Sequence, residues 1–162
     1  MPEASLARAY IGLGANLGDR AATIAAATQA LAALDSTRGW RASSLYRSAP
    51  IDASGPEYLN AVVELWSTLS PRALLAALQS IENAHGRERP QRNAPRTLDL
   101  DLLLHGETRL DTPGLVLPHP RLHQRAFVLV PLVEFNPELW IPGLGRLAEL
   151  LPAVAAQHLQ RL

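Results

Sequence analysis

The chain has 162 residues, with 15 basic and 15 acidic side chains and a formal net charge of zero. Its length predicts one domain over residues 1–162, and its 48% hydrophobic content predicts a globular protein. Balanced charge gives no overall cationic field, so we expect no nucleic-acid partner. The sequence contains neither cysteine nor lysine, which excludes thiolate catalysis, a Schiff-base lysine and a lysine-based phosphate loop.

The N-terminus lacks a charged segment followed by an apolar one, and no apolar run is long enough to span a bilayer. We therefore expect a cytoplasmic protein with no membrane partner. Any phosphate recognition would depend on arginine, backbone N–H groups and metal.

The first half of the chain predicts a strand, a helix and two further strands. A strand over 8–13 runs into a glycine-rich junction at 12–20, interpreted as a tight turn, with a direct phosphate contact as the alternative. Asp19 is placed to cap the helix that follows. Strands are predicted over 40–48 and 58–66, with a loop over 49–56 between them.

The middle of the chain predicts a helix, a cationic loop and a strand. Ser70 and Pro71 mark the helix start and Gly86 its end. Residues 87–96 carry four arginines, and the strand over 95–104 follows. Further on we expect an edge strand near 110–117, an apolar helix that starts at 125–127, bends near 131 and ends at 136–137, and one or two helices over 147–162.

The strand over 95–104 has a chemical face. Every second residue from 98 to 104 is leucine, and Thr97, Asp99 and Asp101 alternate with them. The two aspartate Cα atoms should lie roughly 6.5 Å apart, which lets both carboxylates bind shared cations. A solvated face and a salt-bridge cluster are the alternatives. The arginine-rich loop directly before the strand favours metal and phosphate chemistry, because guanidinium groups bind phosphate oxygens.

His119 and His123 are four residues apart, but Pro120 interrupts a regular helix and no third ligand is obvious, so we do not expect a zinc site. The order strand, helix, strand, strand, helix, strand predicts an α+β fold of the ferredoxin-like split βαβ type. We expect an antiparallel sheet with the helices packed on one face.

Several motifs occur together in one order along almost the whole chain. They are GLGANLGD at 12–19, SSLYRS at 43–48, YLN at 58–60, RNAPRTLDLD at 92–101, PHP at 118–120 and RAF at 125–127. With these motifs the chain resembles the 6-hydroxymethyl-7,8-dihydropterin pyrophosphokinases of folate biosynthesis. Asn93 and Ala49 depart from the family pattern, and the basic loop is one residue shorter.

The resemblance implies transfer of the diphosphoryl group of ATP to the hydroxymethyl oxygen of the pterin, leaving AMP. We expect the protein to be a monomer. Asp99 and Asp101 match residues that hold two Mg²⁺ ions. Tyr58 and Phe127 match aromatic residues that stack on the pterin ring. Four further positions match residues that bind the polar edge of the pterin: Ser48, Ala49, Ile51 and Asn60.

The resemblance also implies an ATP site. Five positions match residues that line this site: Gln79, Glu82, Leu102, His119 and Arg125. The arginines of the basic loop also match residues of the ATP site, and they are Arg87, Arg89, Arg92 and Arg96. Arg87, Arg92 and Arg96 join the two aspartates as catalytic candidates. Two other classes of protein stay open at this point: a non-catalytic binder of a nucleotide or pterin, and a Mg²⁺-dependent nuclease.

Overall fold

The computed structural model describes residues 6–16, 18–48, 57–85 and 98–162. Its strands are β1 (Ala7–Ala15), β2 (Thr37–Ala42), β3 (Tyr46–Ser48), β4 (Tyr58–Ser67), β5 (Asp99–His105), β6 (Leu110–Thr112), β7 (Leu115–Leu117), β8 (Trp140–Ile141), β9 (Gly145–Arg146) and β10 (Leu159–Arg161). Its α-helices are α1 (Arg20–Ala32), α2 (Pro71–His85), α3 (Ala126–Phe135) and α4 (Leu147–Leu150). Two short 3-10 helices cover Leu122–Gln124 and Leu151–Val154.

The main sheet has the strand order β10-β3-β4-β1-β5, and β2 also pairs with β4. Each of these pairs is antiparallel. β6 with β7, and β8 with β9, form separate two-stranded sheets. The order of β1, α1, β2 with β3, β4, α2 and β5 confirms the α+β fold of the ferredoxin-like type.

Helices cover both faces of the sheet, so the expectation of one covered face was wrong. Alternate residues of the central strands enter two cores: Ile11 and Val63 pack with α1 and α2, whereas Tyr10 and Val62 pack with α3 and α4. The physical reason is that β1 and β4 are apolar on both sides, so each face needs a covering layer.

The predicted helix starts are confirmed. The Asp19 carboxylate accepts a hydrogen bond from the Ala22 N–H group at 3.1 Å, and the Ser70 hydroxyl accepts one from the Ala73 N–H group at 3.2 Å. These side chains satisfy donors that the first helical turn leaves without partners. α3 contains Pro131 and ends before Asn136, as expected. Among the described residues, no helix is long and apolar enough to cross a membrane.

The strand predicted over 40–48 is two strands, β2 and β3. At the break, the Ser43 hydroxyl accepts a hydrogen bond from the Val62 N–H group at 2.9 Å. This side-chain bond takes the place of a ladder bond, a competition that serine commonly makes with regular structure. The segment predicted over 110–117 is likewise two strands, β6 and β7.

Two further expectations needed correction. The pairing of β1 with β5 shifts register between Tyr10 and Ile11, so Leu103 and Leu104 both enter the core under α3 and the regular alternation of leucines ends at 102. The C-terminal region ends in β10 rather than a helix. β10 pairs with β3, whose outer edge would otherwise leave backbone groups unpaired.

Candidate active site

The register of the sheet places Asp99, Gly14 and Asn60 side by side on three neighbouring strands, and this set of three residues is called the row. Gly14 of β1 pairs with Asp99 on one side and with Asn60 on the other. Neighbouring strands are about 4.8 Å apart, so the Cα atoms of Asp99 and Asn60 are roughly 10 Å apart. The next row on this face places Asp101, Gly12 and Val62 side by side.

Gly14 leaves the space between these side chains open. A Cβ atom there would lie 3.6 Å from Asn60 Oδ1 and 3.8 Å from Tyr58 Cδ1. Gly12 and Gly14 lie inside β1, so their interpretation as turn residues was wrong; Gly18, with a φ of 64°, is in the turn. The available signal was glycine within a strand pattern, which often marks close approach of a ligand or another backbone.

A buried polar pair stands at the amide side of this row. Asn60 Nδ2 donates a hydrogen bond to Ser48 Oγ at 2.6 Å, and both residues are buried. Tyr58 lies on the same face of β4, since residues two apart in a strand point the same way. The guanidinium of Arg20 donates to the Glu57 carbonyl oxygen at 2.6 Å, which holds the backbone just before Tyr58. Together these groups offer an aromatic ring beside fixed hydrogen-bonding atoms.

The carboxylate side of the row contacts the start of α3. Arg125 Nη1 lies 4.0 Å from Asp101 Oδ2, and the Asp101 side chain is 45% exposed. The Arg125 guanidinium carbon also lies 5.4 Å from the centre of the Phe127 ring. An ion pair this long and exposed is weak. The Asp101 carboxylate therefore remains accessible to a cation.

Asp99 and Asp101 fit a site for Mg²⁺. They are two residues apart on the same face of β5, and each is partly exposed. In the described part of the chain, no group of three or more histidine, cysteine or acidic side chains could hold a metal ion. Mg²⁺ commonly uses only one or two carboxylates and completes its coordination with water and substrate phosphate oxygens. Two partly exposed carboxylates on one strand face suit that requirement.

His119 is held beside β5 as a neutral imidazole. The backbone N–H group of His119 donates to the Leu103 carbonyl oxygen at 2.9 Å, and the ring Nδ1 accepts from the backbone N–H group of Arg121 at 3.1 Å. Burial lowers the pKa of His119 below 6.5, Arg125 and Arg121 lower it further, and Asp101 opposes them. The hydrogen bond to Nδ1 assigns the proton to Nε2. His119 can thus donate a hydrogen bond to an anionic oxygen.

The other candidate ATP residues in the described ranges lie on or near α2 and β5. Glu82 is buried, and its Oε2 accepts a hydrogen bond from the Leu100 N–H group at 2.8 Å. This bond joins α2 to the edge strand β5 between the two aspartates. Gln79 is exposed on α2. The Leu102 side chain is buried in the core under α1 and α2, on the opposite side of the sheet from Asp99 and Asp101.

Glu134 is a site-supporting residue that the sequence analysis did not identify. Its carboxylate accepts hydrogen bonds from the Ser44 N–H group at 3.0 Å and the Ser44 hydroxyl at 3.2 Å. It also accepts one from the Tyr46 hydroxyl. Burial and the bond to Glu134 raise the pKa of Tyr46 to about 12. Tyr46 pairs with Asn60 in the sheet, so Glu134 fixes α3 above the row.

The remaining predicted site residues lie outside the described residues. They are the loop residues Ala49 and Ile51 and the arginines Arg87, Arg89, Arg92 and Arg96, together with the whole basic loop at 87–96. Seven of the described candidates form two groups. Tyr58 and Asn60 meet at Gly14, and Ser48 bonds to Asn60. Asp101, His119 and Arg125 meet at the start of α3, where Arg125 also contacts Phe127.

Solved structures of longer chains share this fold. A crystal structure of an HPPK-DHPS in complex with substrates matches with a TM-score of 0.72 and 11% sequence identity, over 91% of this chain and 43% of that one. A Plasmodium falciparum HPPK-DHPS triple mutant matches with a TM-score of 0.72 and 14% identity, over 93% and 44%. The chain spans less than half the length of these solved chains, and the likeness establishes the fold alone.

Two bacterial relatives match over nearly their whole length. Each is a 2-amino-4-hydroxy-6-hydroxymethyldihydropteridine pyrophosphokinase. The Pseudomonas aeruginosa protein is 45% identical over 156 residues, which is 96% of each chain. The Haemophilus influenzae protein is 40% identical over 155 residues, which is 95% of this chain and 97% of the relative. The chain is accordingly an enzyme of the diphosphokinase class.

One family of diphosphokinases matches most of the chain. The model of the 7,8-dihydro-6-hydroxymethylpterin-pyrophosphokinase (HPPK) family matches residues 10–137, and the chain belongs to that family. The match contains residues 10–15 of β1, the row formed by Asp99, Gly14 and Asn60, and all of α3. Membership confirms the resemblance drawn from the sequence motifs and places the chain among the transferases of folate biosynthesis.

Proposed function

We propose that the chain catalyses Mg²⁺-dependent transfer of the β,γ-diphosphoryl group of ATP to the hydroxymethyl oxygen of 6-hydroxymethyl-7,8-dihydropterin. The products are AMP and the pterin diphosphate. A bond forms between the hydroxymethyl oxygen and the β-phosphorus, and the bond from that phosphorus to the α,β-bridging oxygen breaks. AMP leaves with the bridging oxygen, and the hydroxyl proton passes to solvent.

The observation that carries this proposal is the row formed by Asp99, Gly14 and Asn60 within the region that matches the family model. One end of the row is anionic and the other is a buried amide. A substrate that lies along the row can place a polar ring edge at Asn60 and a reacting group near Asp99. This separation of roles suits a reaction between a heterocycle and a charged phosphate chain.

The amide end is proposed as the pterin site. Ser48 holds the amide group of Asn60 at 2.6 Å, so the amide has little freedom to rotate. A pterin carries hydrogen-bonding atoms along one edge, and a fixed amide can pair with them without losing rotational freedom on binding. Tyr58 and Phe127 are proposed to stack on the two faces of the ring, since aromatic stacking adds to burial of apolar area. Ala49 and Ile51 are proposed to complete this edge.

The carboxylate end is proposed to hold the phosphates of ATP. Asp99 and Asp101 would hold two Mg²⁺ ions, which when bound would offset phosphate charge and favour deprotonation of the substrate hydroxyl. His119 would donate its Nε2–H group to a phosphate oxygen, and Arg125, which lies beside Asp101, would contribute a guanidinium fork. Fixed donors of this kind stabilise developing charge with little reorganisation.

The remaining proposed ATP residues complete this end. Glu82 would act through β5, because its carboxylate bonds to the Leu100 N–H group between the two aspartates. Leu102 would contribute backbone atoms, since its side chain faces the other core. Gln79 and the arginines of the basic loop would contact the nucleotide; these arginines are Arg87, Arg89, Arg92 and Arg96. A single catalytic domain over residues 1–162 and a cytoplasmic monomer remain predictions.

A nucleotide assay tests the proposal. The protein is incubated with ATP, Mg²⁺ and 6-hydroxymethyl-7,8-dihydropterin, and the nucleotides are separated by ion exchange. We expect AMP to form in proportion to the pterin consumed, with no AMP in the absence of the pterin. ADP as the product would indicate transfer of one phosphoryl group and contradict the proposal. Turnover that is equal with and without Mg²⁺ would contradict the role of the two aspartates.

A further inference from the structure

The start of α3 depends on a side chain from the C-terminal segment. α3 begins at Ala126, and Arg125 at its N-cap position has an extended backbone with φ of −127° and ψ of 113°. Within the described residues, the Arg125 side chain makes no capping hydrogen bond. Serine, threonine, asparagine or aspartate usually fills this position and satisfies a first-turn N–H group. Here that acceptor comes from another part of the chain.

The Gln157 side chain makes two hydrogen bonds to the backbone on either side of Arg125. Its Oε1 accepts a hydrogen bond from the Ala126 N–H group at 2.8 Å, and its Nε2 donates one to the Gln124 carbonyl oxygen at 2.7 Å. The two bonds fix the backbone on both sides of Arg125, at the Gln124 carbonyl group and the Ala126 N–H group. A single amide thereby sets the direction in which the chain enters α3, and Phe127 is the second residue of that helix.

The segment that carries Gln157 is itself anchored at two points. Val154 is buried in the core under α3, and Leu159 pairs with Ser48 at the start of β10. Only one residue separates Gln157 from Leu159. The C-terminal segment therefore connects the turn that bears Phe127 to the strand that bears Ser48, which is the partner of Asn60.

We infer that Gln157 is a positioning residue for the pterin site: it fixes the first turn of α3 so that Phe127 stays at its stacking distance from the sheet. The inference rests on the proposed function, since it takes Phe127 as one face of the pterin clamp. Gln157 touches no substrate in this account. It acts by reducing the freedom that Phe127 would otherwise lose when the ring binds.

A double-mutant cycle tests the inference. Binding of 6-hydroxymethylpterin, in the presence of Mg²⁺ and a non-hydrolysable ATP analogue, is measured by calorimetry for the wild type, Gln157→Met, Phe127→Ala and the double variant. Methionine keeps the side-chain length and removes both hydrogen bonds. We expect Gln157→Met to weaken pterin binding about tenfold in the wild type and less than about twofold in the Phe127→Ala background, because coupled residues are not additive.

Two variants serve as controls. Gln160→Met makes the same change at an exposed glutamine of β10 and should leave pterin affinity unchanged. Gln157→Glu should recover only part of the affinity lost in Gln157→Met, because its carboxylate still accepts from the Ala126 N–H group but can no longer donate to the Gln124 carbonyl oxygen. This rescue would separate positioning from a general loss of stability.

The outcomes are distinguishable. An equal loss from Gln157→Met in both backgrounds, or no loss in the wild type, would overturn the inference while leaving the pterin site in place. If Phe127→Ala alone leaves pterin binding unchanged, the proposed clamp fails and the inference fails with it. Loss of affinity in Gln160→Met equal to that in Gln157→Met would also overturn it, because the effect would then belong to β10 in general.

Discussion

A methyl group at Gly14 should separate the stability of the fold from the affinity for the pterin. The Cβ atom of Gly14→Ala would lie 3.6 Å from Asn60 Oδ1 and 3.8 Å from Tyr58 Cδ1, both ordinary contact distances. The folded chain can therefore accept it. Because alanine restricts the unfolded chain more than glycine does, stability should stay the same or rise by about 0.4–1 kcal/mol.

The same methyl group would occupy the space above Gly14, where the proposed pterin ring would approach the sheet beside Asn60. Displacing the ring from Asn60 should leave the buried amide without one hydrogen bond, at a cost of about 1–3 kcal/mol. We therefore expect the Kd for 6-hydroxymethylpterin to rise about 5- to 150-fold. The amide is held in place by Ser48, so it cannot easily turn to follow the displaced ring.

Calorimetry of pterin binding and thermal unfolding would be measured together on Gly14→Ala. Gly39→Ala is the matched control, because Gly39 is also in a strand and its added Cβ would lie 3.5 Å from Trp66 Cε3, away from the row. The control should bind the pterin like the wild type. Wild-type affinity in a folded Gly14→Ala would refute the placement of the ring, and a large fall in Tm would refute the contact argument.

Three other substitutions test separate parts of the site. Asp99→Asn should lower turnover by about 100-fold or more, because it removes one anion from a shared cation site. The control Asp111→Asn, at an exposed position, should leave turnover unchanged. Near-normal turnover of Asp99→Asn at saturating Mg²⁺ would contradict a role of Asp99 in binding the cations. Phe127→Ala should weaken pterin binding by at least about tenfold and ATP binding far less, and equal losses in calorimetry would count against stacking. Burial alone would raise the pKa of Glu134, but hydrogen bonds from Tyr46 and Ser44 outweigh it and hold that pKa below 4.5. The resulting stabilisation is present above pH 4.5 and is lost as the pH falls through the lower folded-state pKa, so urea unfolding of Glu134→Gln should depend less on pH in acid than that of the wild type. Parallel pH profiles would show that Glu134 does not contribute.

Local sequence signals were sufficient for α1, α2 and α3 and for the strands β1, β4 and β5. Asp19 and Ser70 mark two helix starts by their own hydrogen bonds to the first turn. The paired aspartates of β5 share one face because residues two apart in a strand point the same way. Such features depend on a few neighbouring residues and can be inferred from them.

The features of the site that the sequence did not predict depend on strand pairing and hydrogen bonds between residues far apart in the chain. Gly14 forms the floor of the row only because β1 lies between β4 and β5 in one register, and that register has no local signature. Glu134 and Ser44 are 90 positions apart in the chain, and Gln157 and Ala126 are 31 apart. Single polar side chains at such separations produce no periodic sequence pattern. The sequence beyond residue 136 therefore gives no local signal of a role in the site.

Phosphorus NMR of the complete reaction distinguishes transfer of an intact diphosphoryl group from transfer of a single phosphoryl group. With ATP, Mg²⁺ and 6-hydroxymethyl-7,8-dihydropterin, we expect the ATP signals to be replaced, one for one, by those of AMP and of a pterin product with two mutually coupled phosphorus atoms. Appearance of ADP with a pterin carrying a single phosphorus, or of free inorganic phosphate in their place, would contradict transfer of an intact diphosphoryl group.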